Sequence, residues 1–221
     1  MKARKIKQKY FFSVEGETEQ WYLEWLKKII NETETAACEV VFDIKREKNP
    51  VKRVRGMTII NKTEIWHLSD YESDEDVHAD QFIETMDNMI AAQKIKEVKY
   101  FFGYSNLTFD LWIVLHRGNC RDTKSHRRQY LADINRVYGE KFEDMHQYKH
   151  EANFKRCLNK LTLENVKDAV QRAKAIMNIL KNNQERSCQY KGFHYYKKNP
   201  SLEIWRVVEK ILKDCKLTGE F

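Results

Sequence analysis

Residues 10 to 22 read YFFSVEGETEQWY, and the way this stretch changes character decides the fold. From Lys5 to Val14 the chain is rich in aromatic and β-branched residues, as a buried strand requires. From Thr18 the apolar period becomes helical, with Tyr22, Trp25, Leu26, Ile29 and Ile30 on one face. The strand passes into the helix through Glu15, Gly16 and Glu17. Such a passage is either an ordinary solvated turn or a catalytic edge that presents carboxylates to a metal ion or a proton.

The same alternation continues outward from this point. A second strand is predicted over Glu39 to Ile44, followed by the basic loop KREKNPVKRVRG, which Pro50 breaks. A third strand runs from Glu64 to Ser69 and ends at Asp70. Ala79, Phe82, Ile83, Met86 and Ile90 then repeat at helical spacing, and EVKYFFGY (Glu97 to Tyr104) reads as a fourth strand closed by Ser105 and Asn106. The stretch LTFDLWIVLH after it reads as a short buried helix. This β-α-β-β-α-β-α order predicts an α/β fold, an open and mainly parallel four-stranded sheet flanked by helices.

Beyond residue 118 the pattern is helical. Tyr130, Leu131, Ile134, Val137 and Tyr138 form one stripe. Val166, Val170, Ala173, Met177 and Leu180 form another, with Thr162 as its N-cap. QYKGFHYYKKN reads as a loop, and Pro200–Ser201 opens a last helix that turns Trp205, Val208, Ile211 and Leu212 inward. The expected organisation is an α/β core over residues 1–118 with a C-terminal helical extension, residues 119–221, packed on it.

Composition narrows the function classes. Hydrophobic residues make up 42% and charged residues 33%, while two prolines and seven glycines argue against long disordered linkers. No run approaches the roughly 18–20 apolar residues of a membrane span, and MKARKIKQKY leads into a strand rather than a signal-peptide core. A cytoplasmic protein with no membrane partner is therefore expected. The five scattered cysteines contain no CxxC pair, and His116, Cys120 and His126 match no common zinc spacing. The formal charge of +7 permits phosphate-rich partners. Basic clusters lie at Lys2–Lys9, Arg46–Arg55, Arg117–Arg128 and Lys197–Lys198, against one acidic knot between Glu72 and Asp80.

In an open parallel sheet, functional groups collect beyond the carboxyl ends of the strands. Three such ends carry acidic or polar groups here: Glu15, then Asp70 with Glu72, then Ser105 with Asn106. Oxygen ligands of this kind suit Mg²⁺ or Mn²⁺, which bind phosphate oxygens directly. Each position also has a plain structural role. Glu15 can bond its own turn, Glu19 sits favourably at a helix N-terminus, and Asn106 can cap the following helix. Asp74, Glu75 and Asp76 read as N-terminal helix charges, and Trp21, Trp25 and Trp112 as core. The tyrosines of QYKGFHYYKK, interleaved with lysines, are placed to stack on bases.

The motifs resemble a known family. VEGETE after a strand, and a later strand ending in Asp70-Tyr71-Glu72, are similar to a TOPRIM domain. The closer resemblance is to the RloB-like family of bacterial restriction and phage-defence loci. It is carried by Glu15-Gly16-Glu17-Thr18-Glu19, by the run from Ser105 to His116 (SNLTFDLWIVLH), by Tyr148-Lys149 and by Asn199-Pro200-Ser201. These span about four-fifths of the chain in order. Two departures stand out. The family's DRDE is Asp70-Tyr71-Glu72-Ser73 here, and its FELW is Phe109-Asp110-Leu111-Trp112.

The resemblance implies a Mg²⁺- or Mn²⁺-dependent nuclease that cleaves phosphodiester bonds of RNA (such as tRNA) or DNA in defence against phage. Its partners would be nucleic acid and another protein of the defence system, with the oligomeric state left open. Glu15, Asp70 and Glu72 would hold the metal, Glu15 would handle protons or bridge the metals, Glu19 would be a further catalytic carboxylate, and Lys149 with His116 would steady the scissile phosphate. Gly16, Ser105, Asn106, Arg117, Lys197 and Lys198 would contact substrate. A reading of another class is a catalytically silent nucleic-acid or effector-binding subunit, which the altered DRDE supports. An enzyme acting on a small phosphorylated metabolite is a third reading. The positive charge and the missing glycine-rich phosphate loop weigh against it.

Overall fold

The computed structural model describes residues 5–73 and 75–218. Lys2, at the start of the first basic cluster, and Asp74 lie outside the described residues. Four parallel strands form the main sheet: β1 (Ile6–Val14), β2 (Cys38–Arg46), β3 (Thr63–Tyr71) and β4 (Val98–Asn106), in the order β2-β1-β3-β4. Helices α1 (Glu17–Glu32) and α3 (Asp76–Ile95) connect them, with the short α2 (Pro50–Arg55) between β2 and β3 and α4 (Asp110–Leu115) after β4. The expected α/β sheet flanked by helices is present, with all four strands parallel.

Alternation along the strands splits the apolar residues between two faces. Tyr10, Phe12 and Val14 of β1 and Trp66 and Leu68 of β3 lie in the larger buried cluster, against Tyr22, Leu26 and Ile30 of α1. Ile65 and Tyr71 of β3 and Tyr100, Phe102 and Tyr104 of β4 face the other way, onto Phe82, Met86 and Met89 of α3. Truncating a wholly buried member such as Phe12 to alanine removes about 3–5 kcal/mol.

The basic loop contains α2 because Pro50 opens a helix rather than breaking one. It occupies the first turn, where its missing N–H is no loss. The Asn49 side chain accepts from the backbone N–H groups of Val51 (2.9 Å) and Lys52 (3.1 Å).

In the second half, α5 (Tyr130–Tyr138), α6 (Met145–Lys149), α7 (Glu151–Leu158), α8 (Leu163–Asn182) and α9 (Trp205–Asp214) follow. Ile134, Phe154, Val166, Val170 and Ile211 belong to the same buried cluster as β1 and α1. Thr162 caps α8 as expected, in a reciprocal capping box with Asn165. The stretch read as a loop is a hairpin of β5 (Ser187–Tyr190) and β6 (Phe193–Tyr196). It is pinned to the second cluster by Tyr195 packing on Tyr71 and Phe82. The last helix starts at Trp205 rather than Pro200. Residues 201–203 instead run beside the end of β4, where Asn106 N donates to Ser201 O (2.9 Å) and Glu203 N to Tyr104 O (2.8 Å). The end of α9 closes under β1 and β2. Tyr10 Oη donates to Asp214 (2.7 Å), Ala37 N donates to Cys215 O (2.8 Å), and the Cys38 and Cys215 sulfurs stand 2.9 Å apart. Among the described residues no helix is long and apolar enough to cross a membrane.

Candidate active site

Because β1 and β3 are adjacent and parallel, their carboxyl ends bring Glu15 beside Ser69 and Asp70. Glu15 accepts from Ser69 Oγ (2.9 Å) and from the backbone N–H of Asp70 (3.3 Å). Burial nevertheless holds its carboxyl above the ordinary range, outweighing those two bonds and the pull of Lys48. Gly16 follows. A Cβ there would lie 2.8 Å from Glu19 Oε2, so the glycine makes room for a carboxylate folded back onto the start of α1. Glu19 is buried, accepts from Thr18 Oγ1 (3.0 Å), and is also raised by burial, with Lys149 and Thr18 pulling against it. Asp70 is raised furthest of the three. Burial is the main cause, and repulsion from Glu19 and Glu15 adds to it.

Two lysines face this group, Lys48 beside Glu15 and Lys149 beside Asp70 and Glu19. Lys149, at the end of α6, stands 2.9 Å from Asp110 Oδ2. Burial alone would lower its ammonium, but Asp110, Asp70 and Glu19 outweigh burial and leave it raised. Asp110 opens α4 wholly enclosed. It accepts from Thr108 Oγ1 (2.8 Å) at Oδ2, while Oδ1 has no donor in bonding geometry among the described residues. Glu15, Glu19, Asp70, Glu72, Lys48 and Lys149 line a cavity of about 280 Å³. A second, of about 270 Å³, lies beyond Asp70 toward His78.

The donors are hard carboxylate oxygens crowded into one cleft, and like charges raise Asp70. In chemistry and in charge they fit a Mg²⁺ or Mn²⁺ ion. Their arrangement is not chelating. Among the described residues no three carboxylate, histidine or cysteine groups converge as a metal site. Glu15 is held by Ser69 and Asp70, and Glu19 by Thr18. Glu72 is turned to the rim by Arg127 Nη1 (3.3 Å) and His78 Nε2 (3.5 Å). Glu19, rather than Glu72, is the carboxylate whose repulsion weighs most on Asp70.

Several sequence-predicted residues lie elsewhere. His116 is wholly buried, with Nδ1 2.8 Å from Trp112 O and Nε2 3.3 Å from Tyr22 Oη, and it is ringed by Trp112, Tyr22 and Trp25. Burial lowers its pKa to about 4, so at neutral pH it is an uncharged core residue with no face for phosphate. Ser105 and Asn106 are buried as well. Asn106 Nδ2 donates to Tyr196 O (3.0 Å) and Lys197 O (2.8 Å), so it ties down the segment after β6 instead of capping α4. Arg117 is exposed over the ring of Tyr138, and Lys198 pairs with Glu185 beside a different cavity. Lys197 presents its backbone carbonyl to Asn106. Tyr195 is buried among aromatic rings and has no face for a base. Trp21 departs from its core assignment in the other direction. It is half-buried and lines the carboxylate cavity.

Asp110, Ser69, Lys48 and Arg127 were given no site role by sequence reasoning, although Asp110 stood in a quoted motif and Lys48 and Arg127 fall in two of the basic clusters. The FDLW motif is a signal that could have found Asp110, since an acid among four apolar neighbours needs a partner.

The model of the RloB-like protein family matches residues 10–211, and the chain belongs to that family. No curated protein and no solved structure matches it.

Proposed function

We propose that this chain is a divalent-cation-dependent nuclease that hydrolyses phosphodiester bonds in the cleft between the ends of β1 and β3. The crowding of Glu15, Glu19 and Asp70 carries the proposal. Three like charges held together against burial are stabilised by a cation and have little structural use without one. Asp70 and Glu15, with Glu19 or Glu72, would hold Mg²⁺, which when bound polarises a phosphoryl oxygen and favours an attacking hydroxide. Glu15, whose carboxyl burial holds above its ordinary range, is the group placed to take a proton from the attacking water. Lys149, positioned by Asp110, supplies the positive charge that meets a non-bridging phosphate oxygen. The TOPRIM-like character of the core and a role in phage defence belong to this proposal too, and rest on the motif resemblance.

The non-convergent carboxylates favour the second reading, a silent nucleic-acid-binding subunit. Cleavage of labelled tRNA and DNA with Mg²⁺, with EDTA and with Asp70→Asn separates the two. The nuclease reading expects activity lost under both EDTA and the substitution. Activity that survives both overturns the metal mechanism. Tight binding with no cleavage, and no Mn²⁺ binding by calorimetry, supports the silent subunit.

A further inference from the structure

The carboxylate cavity shares Glu17, Trp21 and Lys149 with a larger one of about 750 Å³, whose other walls include Arg127, Arg128, His146 and His150. Its volume falls within the range of about 300–1,000 Å³ that small-ligand sites occupy. Where the first cavity is acidic, the second sets Arg127, Arg128 and Lys149 against Glu17 and Glu151 for a net positive lining, and the two share the indole of Trp21. Trp21 is backed by Phe154 at 5.8 Å, and Lys155 stands 5.9 Å from its centroid, held by Glu151. Arg127 and Arg128 form the single 3₁₀ turn that leads into α5, fixed by a capping box between His126 and Gln129. Arg127 also reaches Glu72, so it bridges the basic and acidic cavities. An indole in a concave wall, with guanidinium and imidazole groups around it, is the combination that takes a base on its face and a phosphate at its edge.

We propose that this larger cleft is a nucleotide subsite. It would take one unpaired base on Trp21 and the adjoining phosphate on Arg127 and Arg128, and so select single-stranded or looped segments for the carboxylate cleft. The proposal rests on the nuclease reading for its purpose, although binding can be measured without cleavage. A duplex is disfavoured because the indole is half-buried in the wall, and a base must leave its stack to reach it. The acidic cavity repels phosphate while it is metal-free, so the basic cleft is the side from which the strand enters. Lys155 is an exposed side chain paired with Glu151, and an arriving base has to displace it from the Trp21 ring.

The test is fluorescence anisotropy with labelled single-stranded RNA and DNA dodecamers and a blunt duplex of the same sequence, in EDTA at two salt concentrations. Wild type should bind single strands at least about ten times more tightly than duplex. Trp21→Ala should weaken single-strand binding by about 10- to 100-fold, and Trp21→Phe should restore most of it. Arg128→Ala, an exposed substitution that leaves folding intact, should weaken binding several-fold and reduce the salt slope by about one. Equal affinity for duplex, no single-strand binding by wild type, or an unaltered salt slope in Arg128→Ala overturns the proposal. So does unchanged affinity in a folded Trp21→Ala. Trp21-dependent binding without any Mg²⁺-dependent cleavage overturns the nuclease reading and leaves the subsite standing. Cleavage that is indifferent to Trp21 and Arg128 does the reverse.

Discussion

Replacing Lys149 with methionine tests the charge balance of the cleft most directly. The ammonium stands 2.9 Å from a carboxylate with no exposed surface, while the lysine side chain keeps 34% of its own. At an effective dielectric of about 20, such a pair attracts by roughly 6 kcal/mol, much of it offset by desolvation. Removing one partner of a buried pair costs about 3–5 kcal/mol. Partial hydration of Lys149 places the loss at the lower end, near ~3 kcal/mol, or about 6–12 °C in Tm for a chain of this size.

The deficit should depend on pH. Lys149 is raised in the folded state, so its stabilisation is complete below the unfolded lysine value and fades only as alkaline pH passes the folded one. Asp70 and Glu19 are also raised, and Lys149 is the charge that opposes that rise. Without it they take up protons more readily. The gap to wild type therefore widens as pH rises above the ordinary carboxylate range, because a carboxyl raised on folding loses stability as pH climbs through its folded value. Thermal denaturation in EDTA over that range measures the gap. Lys149→Met combined with Asp110→Asn should recover at least half of it, since neither charge is then left alone. A loss under ~1 kcal/mol, or a double variant as unstable as the single one, refutes the charge-balance argument.

Three further outcomes are expected. Asp70→Asn should raise Tm in EDTA at neutral pH by about 2–4 °C, by removing one of the crowded charges, and the gain should vanish on acidification. A lower Tm at neutral pH would show that the crowding is not felt. His116→Phe should leave cleavage within about threefold of wild type, whereas a shuttle would lose at least about 100-fold. Burial depresses His116 to about 4, so its stabilisation is lost as pH falls from the unfolded histidine range. The phenylalanine variant should lack that loss, about 2 kcal/mol between pH 6.5 and 5. Finally, diamide should join Cys38 to Cys215, the thiols giving up two electrons and two protons to the reagent. Burial and the neighbouring Cys38 push Cys215 up to about 12, so the reaction should quicken at alkaline pH. Peptide mapping that finds both thiols still free after treatment at alkaline pH would contradict the geometry.

Helices α1, α3 and α8 were legible in the sequence because each buries one face and writes it as a period of 3.6, and the four strands because they are short aromatic and β-branched runs bounded by polar turns. The carboxylates at the ends of β1 and β3 were legible because parallel order fixes where strand ends lie. Periodicity does not say what a polar residue inside a motif touches. His116 and Asn106 sit in the most family-like stretch, and both turn inward, one to aromatic rings and the other to backbone carbonyls. Trp21 erred the opposite way. On the helical wheel it resembles Trp25, yet it borders the cleft because α6 and the Arg127 turn, far away in sequence, stop short of covering it. Pro50 shows that a breaker in mid-helix is a starter at the first position.

The closure of the last helix beneath the first strand has a consequence for biosynthesis. Tyr10 and Asp214 are 204 residues apart, and at ~5–20 residues per second the ribosome needs roughly 10–40 s to go from one to the other. Until then β1, which leads into Glu15, lacks the cover of α9, and the end of β4 lacks residues 201–203. Contacts this distant in sequence also form late in folding. On the nuclease reading, every side chain that lines the carboxylate cavity is made by residue 149, yet the strand that leads into Glu15 is fully covered only when translation is nearly over.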